Sequence, residues 1–206
     1  GSNIDLNDVV ASTFTISDTG TVASDTDFLY NSIDATSFTY TSDTASAGNG
    51  AVNKFVTTGS ATSAWTVGTT SMSSLRGVTF TLLADTDPGD TGAATHCEQG
   101  IVLTGNFSIT TNGQGAGIDV DFGNMIGDLT LSAGGNVTVD SYISAASASS
   151  VAIVGDSSIV SGSAAAGTGN LTVNHRFIDC TDPTQTVAQR TASYTMSTGD
   201  VSHSSG

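Results

Sequence analysis

The chain has 206 residues, of which 37% are hydrophobic and 11% charged, and four basic residues against nineteen acidic ones give a formal charge of −15. That balance excludes nucleic-acid binding through phosphates, whose affinity comes from Lys and Arg displacing counterions, and it disfavours anionic lipid surfaces. Ser, Thr and Gly, not charge, fill the hydrophobic deficit, so the chain does not read as a charged disordered segment. Glu98 is the only glutamate and Lys54 the only lysine, which leaves little to build helix surfaces from. The expectation is a single all-β domain over 1–206. No apolar run reaches membrane-spanning length and no signal peptide is visible.

Residues 1–100 read as irregular N-terminal strands. Phe14-Thr15-Ile16-Ser17-Asp18-Thr19 and Phe38-Thr39-Tyr40-Thr41-Ser42-Asp43-Thr44 each run a strand out into an Asp-Thr turn, and Phe80 to Thr86 repeats the theme. Between the first two, Phe28-Leu29-Tyr30 supplies a first layer of core. Thr-x-Thr recurs at 13–15, 39–41 and 79–81, a pattern that offers hydroxyls to an ordered surface such as ice. Further strands are expected over 51–57, 64–67 and 77–83, with one helical turn over 71–75. Trp65, the only tryptophan, is expected in the core, because most of its area is buried in folded chains.

The longest polar interval is 84–100, which reads as an excursion loop. Asp85, Asp87 and Asp90 surround Pro88-Gly89 there. Three carboxylates on an irregular loop fit one Ca²⁺, which takes six to eight oxygens; the other reading is an ordinary solvated turn. Cys97 and Cys180 are the only cysteines. As a disulfide they would close a long loop, worth up to roughly 4 kcal/mol in the chain-entropy model, and would point to an oxidising compartment. The alternative is two buried, reduced thiols.

A repeat region covers 101–176. One phrase returns in it: glycine, Asn or Asp, apolar, hydroxyl, apolar. It appears as Gly105-Asn106-Phe107-Ser108-Ile109, Gly127-Asp128-Leu129-Thr130-Leu131, Gly135-Asn136-Val137-Thr138-Val139 and Gly169-Asn170-Leu171-Thr172-Val173, with Gly155-Asp156-Ser157-Ser158-Ile159 as a degenerate copy. Glycine plus Asn or Asp makes a tight turn, and the next three residues alternate as a half-buried strand does. Such units build a β-solenoid, with a β-sandwich or jelly roll as the alternative. Gly105 and Gly127, 22 residues apart, and Gly135 and Gly155, 20 apart, suit one rung each. Gly127 and Gly135 would then open two sides of one rung.

The run from Gly127 to Val139 resembles the repeat text of filamentous-haemagglutinin-type adhesins and other secreted bacterial β-helix proteins. Phage tail and capsid-surface proteins carry similar text. The resemblance implies an extracellular, cell-surface or virion-surface protein that is non-catalytic and works as a stalk or attachment surface.

Few residues suggest chemistry. Asp119 and Asp121 share one strand face, as the paired carboxylates of polysaccharide lyases and hydrolases do, or as an ordinary polar outer face does. His96, His175 and His203 lie far apart and no G-x-S-x-G elbow is present. Asn106, Asn136 and Asn170 sit in N-x-[ST] sequons, which the repeat phrase generates by itself. Residues 197–206 read as a flexible polar tail. The functional expectation is a non-enzymatic structural or adhesive protein that meets copies of itself, neighbouring subunits or surface carbohydrate. A carbohydrate-active enzyme and a binder of ordered surfaces are the alternatives.

Overall fold

The computed structural model describes residues 2–19, 26–43, 52–60, 62–85, 98–142, 150–154, 157–162, 169, 171–177, 188–190, 193–198 and 201–205. The described residues are all strand, turn or extended chain, with no helix among them. The strands are β1 (Ser2–Asp18), β2 (Thr26–Ser42), β3 (Val52–Thr57), β4 (Ala64–Ser74), β5 (Gly77–Thr81), β6 (Leu83–Asp85), β7 (Glu98–Gly100), β8 (Leu103–Thr111) and β9 (Ile118–Phe122). They continue with β10 (Met125–Ile126), β11 (Leu129–Ala133), β12 (Val137–Tyr142), β13 (Ser150–Val154), β14 (Ser157–Ser161), β15 (Leu171–Phe177), β16 (Ala188–Arg190), β17 (Ser193–Thr198) and β18 (Val201–Ser205).

Parallel pairing dominates, and it makes a solenoid-like coil. The 17-residue β2 pairs with β1 along its whole length. Its first part then pairs with β3 and its second part with β4. From there two ladders run on. One is β3, β5, β9, β12, β15; the other is β4, β8, β11, β14, β18, with β10, β13 and β17 beside it. The antiparallel exceptions are β15 with β16 and β6 with β7. A sandwich of antiparallel strands is thereby ruled out in favour of the solenoid.

The two ladders are the arms of a bent rung. The Phe28 and Tyr40 rings, near opposite ends of β2, have centroids 5.5 Å apart, whereas a straight strand would hold them about 40 Å apart at ~3.3 Å per residue. In each rung a first arm (26–30 in β2) leads through a short base (32–35) into a second arm (37–42). Asn7 sits at positive φ at the corresponding corner of β1. At the second bend Gly105 and Gly127 have φ of 90° and 135°. A Cβ on Gly127 would lie 2.2 Å from the Gly105 carbonyl oxygen, so these turns stack directly. Their spacing of 22 residues is one rung, as the sequence suggested. Gly135 differs: it packs on Gly115, and Gly169 packs on Gly135, so these partners lie at the start of the first arm; Gly155 lies outside the described residues. Gly127 and Gly135 do open the two arms in turn, β11 and then β12.

Both arms point apolar residues inward. On the first arm Ile4, Phe28, Phe55, Phe80, Val120 and Val139 stand in one column. On the second, Ile16, Tyr40, Met72, Ile109, Leu131 and Ile159 do so. Trp65 locks the arms together, edge-on to Tyr30, Phe38 and Phe80 at 4.9–5.1 Å. Its indole N–H donates to the Thr70 hydroxyl at 2.9 Å, which explains why a threonine interrupts the column between Phe38 and Phe107.

Several expectations change. Residues 71–75 form no helical turn: β4 runs through to Ser74. Ser74 is buried and its hydroxyl accepts the Arg76 N–H at 3.0 Å, so a serine occupies an inward position that the pattern did not mark as apolar. The strands before residue 100 stack in the same ladders as the repeat region. The segment 197–206 carries the end of β17, and β18 pairs with β14. The excursion after β5 is closed at its root by the β6–β7 pair.

Candidate functional site

Outward-facing positions separate the two arms chemically. On the second arm, one column reads Thr15, Thr39, Ser71, Ser108, Thr130, Ser158 in direct register. The neighbouring column reads Ser17, Thr41, Ser73, Thr110, Ser132 before Val160. All of these side chains are exposed or half-buried, and the residues between them face the core. Parallel strands give the array a repeat of about 4.8 Å from rung to rung and about 6.6 Å along each strand. These two columns carry no charge. A third column towards the bend, Thr13, Ser37, Thr69, Asn106, Asp128, turns polar and then acidic at its far end. There the Asn106 side-chain oxygen accepts the Asp128 N–H at 3.2 Å, so this sequon asparagine ties one rung to the next.

At the base, Gly68 and Gly105 leave a groove of about 420 Å³ lined also by Asp34, Ala35, Thr36, Thr66, Val67 and Thr104. A Cβ on Gly105 would lie 2.0 Å from the Val67 carbonyl oxygen, so glycine here serves backbone packing. The groove separates the base from the hydroxyl array.

The first arm is different outside. Lys54, Thr79, Asp119 and Thr138 follow one another in one column, and Thr81, Asp121 and the buried Asp140 in the next. The Thr81 hydroxyl donates to Asp121 at 3.3 Å. Asp119 and Asp121 do share a face, as the sequence indicated, and Asp140 stands beside Asp121 on the next rung. The groove at the base lies away from all three.

The other predicted residues are dispersed or undescribed. Asp85 ends β6, its backbone opposite Glu98. Asp87, Asp90, Cys97 and Cys180 lie outside the described residues, so the calcium cluster and the disulfide are not placed. Among the described residues no three His, Cys, Asp or Glu side chains gather as metal ligands. Thr79 and Thr81 belong to the first arm, so the Thr-x-Thr at 79–81 does not share a face with those at 13–15 and 39–41. Sequence reasoning missed Ser71, Ser108, Thr130 and Ser158 as members of the hydroxyl array. The signal was the hydroxyl of the repeat phrase, whose copies sort onto alternate arms: Ser108, Thr130 and Ser158 on the second, Thr138 and Thr172 on the first.

Two inward tyrosines complete the electrostatics. Burial pushes the Tyr30 phenol well above its ordinary value of 10.0, and its hydroxyl donates to the Thr81 carbonyl at 2.7 Å. Burial likewise raises Tyr40, with Asp18 adding to the effect and Ser42 and Arg76 partly offsetting it. Both phenols are neutral core groups rather than reactive ones.

A scan against protein-family models and comparisons with curated proteins and solved structures return no match.

Proposed function

We propose that the chain is a non-enzymatic, adhesive β-solenoid that docks its second arm onto an ordered, uncharged, hydrogen-bonding surface in a secreted or surface-displayed setting. The observation that carries this is the pair of outward columns, hydroxyl-bearing and charge-free over successive rungs, on a chain of net charge −15. A charged ligand gains little from such a face. A soluble sugar gains little as well, because no aromatic ring stands among these outward residues to stack on it. A lattice gains from repetition: each rung adds the same weak contact already fixed in place, so the ordering cost is shared across the array. Ice is the simplest lattice whose oxygen repeats are of this size, and crystalline polysaccharide is the other candidate surface.

The test partitions the protein into slowly growing ice and, separately, onto crystalline chitin and cellulose. The expected result is enrichment on ice that Thr130→Lys reduces severely and Thr138→Lys leaves intact, since the second substitution lies on the other arm. Binding to polysaccharide alone, with the same arm dependence, would keep the array and replace its ligand. Exclusion from every surface, or equal effects of both substitutions, would sink the reading.

A further inference from the structure

β1 ends the ladder: among the described strands it pairs with β2 alone. Its outer edge therefore presents unpaired backbone donors and acceptors, the usual template for another strand. The core is also open there. Ile4 is 44% exposed, and Leu6, Val9, Phe14 and Ile16 are only partly buried; Val10, 84% exposed, faces outward in register with Asp34. In β2, one rung in, Phe28, Ile33, Phe38 and Tyr40 are almost wholly covered. The first rung thus has core residues covered on one side only.

The sequence of β1 says what fits. Folded back about Val10, the strand matches itself. Ile4 falls opposite Ile16, Leu6 opposite Phe14 and Val9 opposite Ala11, so core residues extend core columns. Asp5 falls opposite Thr15 and Asp8 opposite Ser12, so no carboxylate meets another. The bent shape has the same symmetry. Val10 pairs with Asp34 in the base, and the two arms leave on either side of it. A two-fold axis through the base exchanges the arms while keeping inward residues inward. Oligomers of one chain use such isologous contacts, in which one patch is its own complement.

We propose that two copies of the chain pair head to head, β1 against β1 in antiparallel register about Val10, closing the open core and removing the exposed edge. The dimer then points its two hydroxyl arrays in opposite directions. It becomes a bivalent particle that bridges two surfaces, a consequence that rests on the function proposed above.

Sedimentation velocity over a concentration series tests the pairing with no surface ligand present, so it can fail while the surface reading stands. The expected species is a dimer of the 20.5 kDa chain. Thr15 and Asp5 are exposed, and Asp5 also accepts the Asn7 N–H at 3.0 Å, so circular dichroism checks that each variant keeps the fold. Thr15→Asp sets carboxylates opposite Asp5 at two symmetric positions and weakens dimerisation at least about tenfold at low salt. Thr15→Lys strengthens it, and Asp5→Lys combined with Thr15→Asp restores it. A monomer at every concentration, a head-to-tail series of larger species, or a dimer indifferent to charge at Thr15 would each overturn the proposal.

Discussion

The two arms of this solenoid are alike inside and unlike outside. Inside, each carries columns of large apolar residues that meet through Trp65. Outside, the second arm shows rows of Ser and Thr, while the first shows Lys54, Asp119 and Asp121 among threonines, with Asp140 in the same register but buried. The same repeat phrase builds both, since Thr130 and Thr138 hold equivalent places in it. The difference teaches that the phrase sets the fold, and that the residues around it, copy by copy, set the surface. Inner positions are bound by packing density and cannot drift far. Outer positions are free to differ, so a charge-free array preserved over many rungs stands out against the acidic arm beside it.

The inner equivalence is tested first, because it carries the largest effects. Phe80 on the first arm and Phe107 on the second have ring centroids 4.7 Å apart and are both fully buried. Phe80→Ala and Phe107→Ala are each expected to cost about 3–5 kcal/mol in urea unfolding. A loss at one position several times that at the other would show that the arms are not equal partners in one core.

Next come the bends that keep the arms apart. Gly105→Ala forces a Cβ to within 2.0 Å of the Val67 carbonyl oxygen at a φ of 90°, and a destabilisation of about 2–4 kcal/mol follows from combined overpacking and backbone strain. Gly115→Ala is the control: its φ is also positive, at 72°, but a Cβ there meets nothing within 4 Å. It is expected to cost only about 1 kcal/mol, the strain alone. Equal losses would mean that backbone conformation, and not the stacking of turns, sets the bend.

The arms, their period and part of the hydroxyl array were legible in the sequence, for a physical reason. Glycine with Asn or Asp marks a tight turn wherever it stands, and Gly105 and Gly127 stack as that spacing implied. What stayed hidden was which turn stacks on which. The 86–97 interval and other insertions lengthen some rungs and not others, so equal spacing stopped meaning equal arm. That is why Gly135, set a rung from Gly155 by spacing, packs on Gly115, and why the Thr-x-Thr at 79–81 lies on the other arm from those at 13–15 and 39–41. The inward Ser74 and Thr70 were illegible for another reason. Their burial is stabilised by hydrogen bonds to the Arg76 N–H and the Trp65 indole, neighbours in sequence whose pairing with these hydroxyls no hydrophobic pattern marks.

A pH titration probes the inner surface without mutation. Tyr30 and Tyr40 are held above the ordinary phenol range by burial. Below pH 10 both are protonated in the folded and the unfolded chain, and stability is indifferent to them. Above it the unfolded chain releases protons that the folded chain retains, so stability falls as pH rises, by up to about 1.4 kcal/mol per pH unit for Tyr30. Ultraviolet absorbance should show these two phenols ionising only with unfolding. Normal titration of every tyrosine in the folded protein would contradict the closed core between the arms.

The smallest expected effect tests the outer difference directly. Thr138 stands beside Asp119 on the first arm, whereas Thr130 stands between Ser108 and Ser158 on the second. Thr138→Lys therefore gains a cross-strand partner of opposite charge, worth roughly 0.2–1 kcal/mol. Thr130→Lys gains no neighbour of that kind and should stay within about 0.5 kcal/mol of the parent. Both variants also reduce the net negative charge and relax general self-repulsion, so a common small gain is expected and only the difference between them is informative. In about 1 M salt, where the screening length is roughly 3 Å, that difference should shrink towards zero. Urea midpoints of the two variants at low and high salt decide it. A Thr138→Lys gain no larger than that of Thr130→Lys would show that the acidic character of the first arm is not felt at its surface, and the chemical contrast between the arms would lose its electrostatic half.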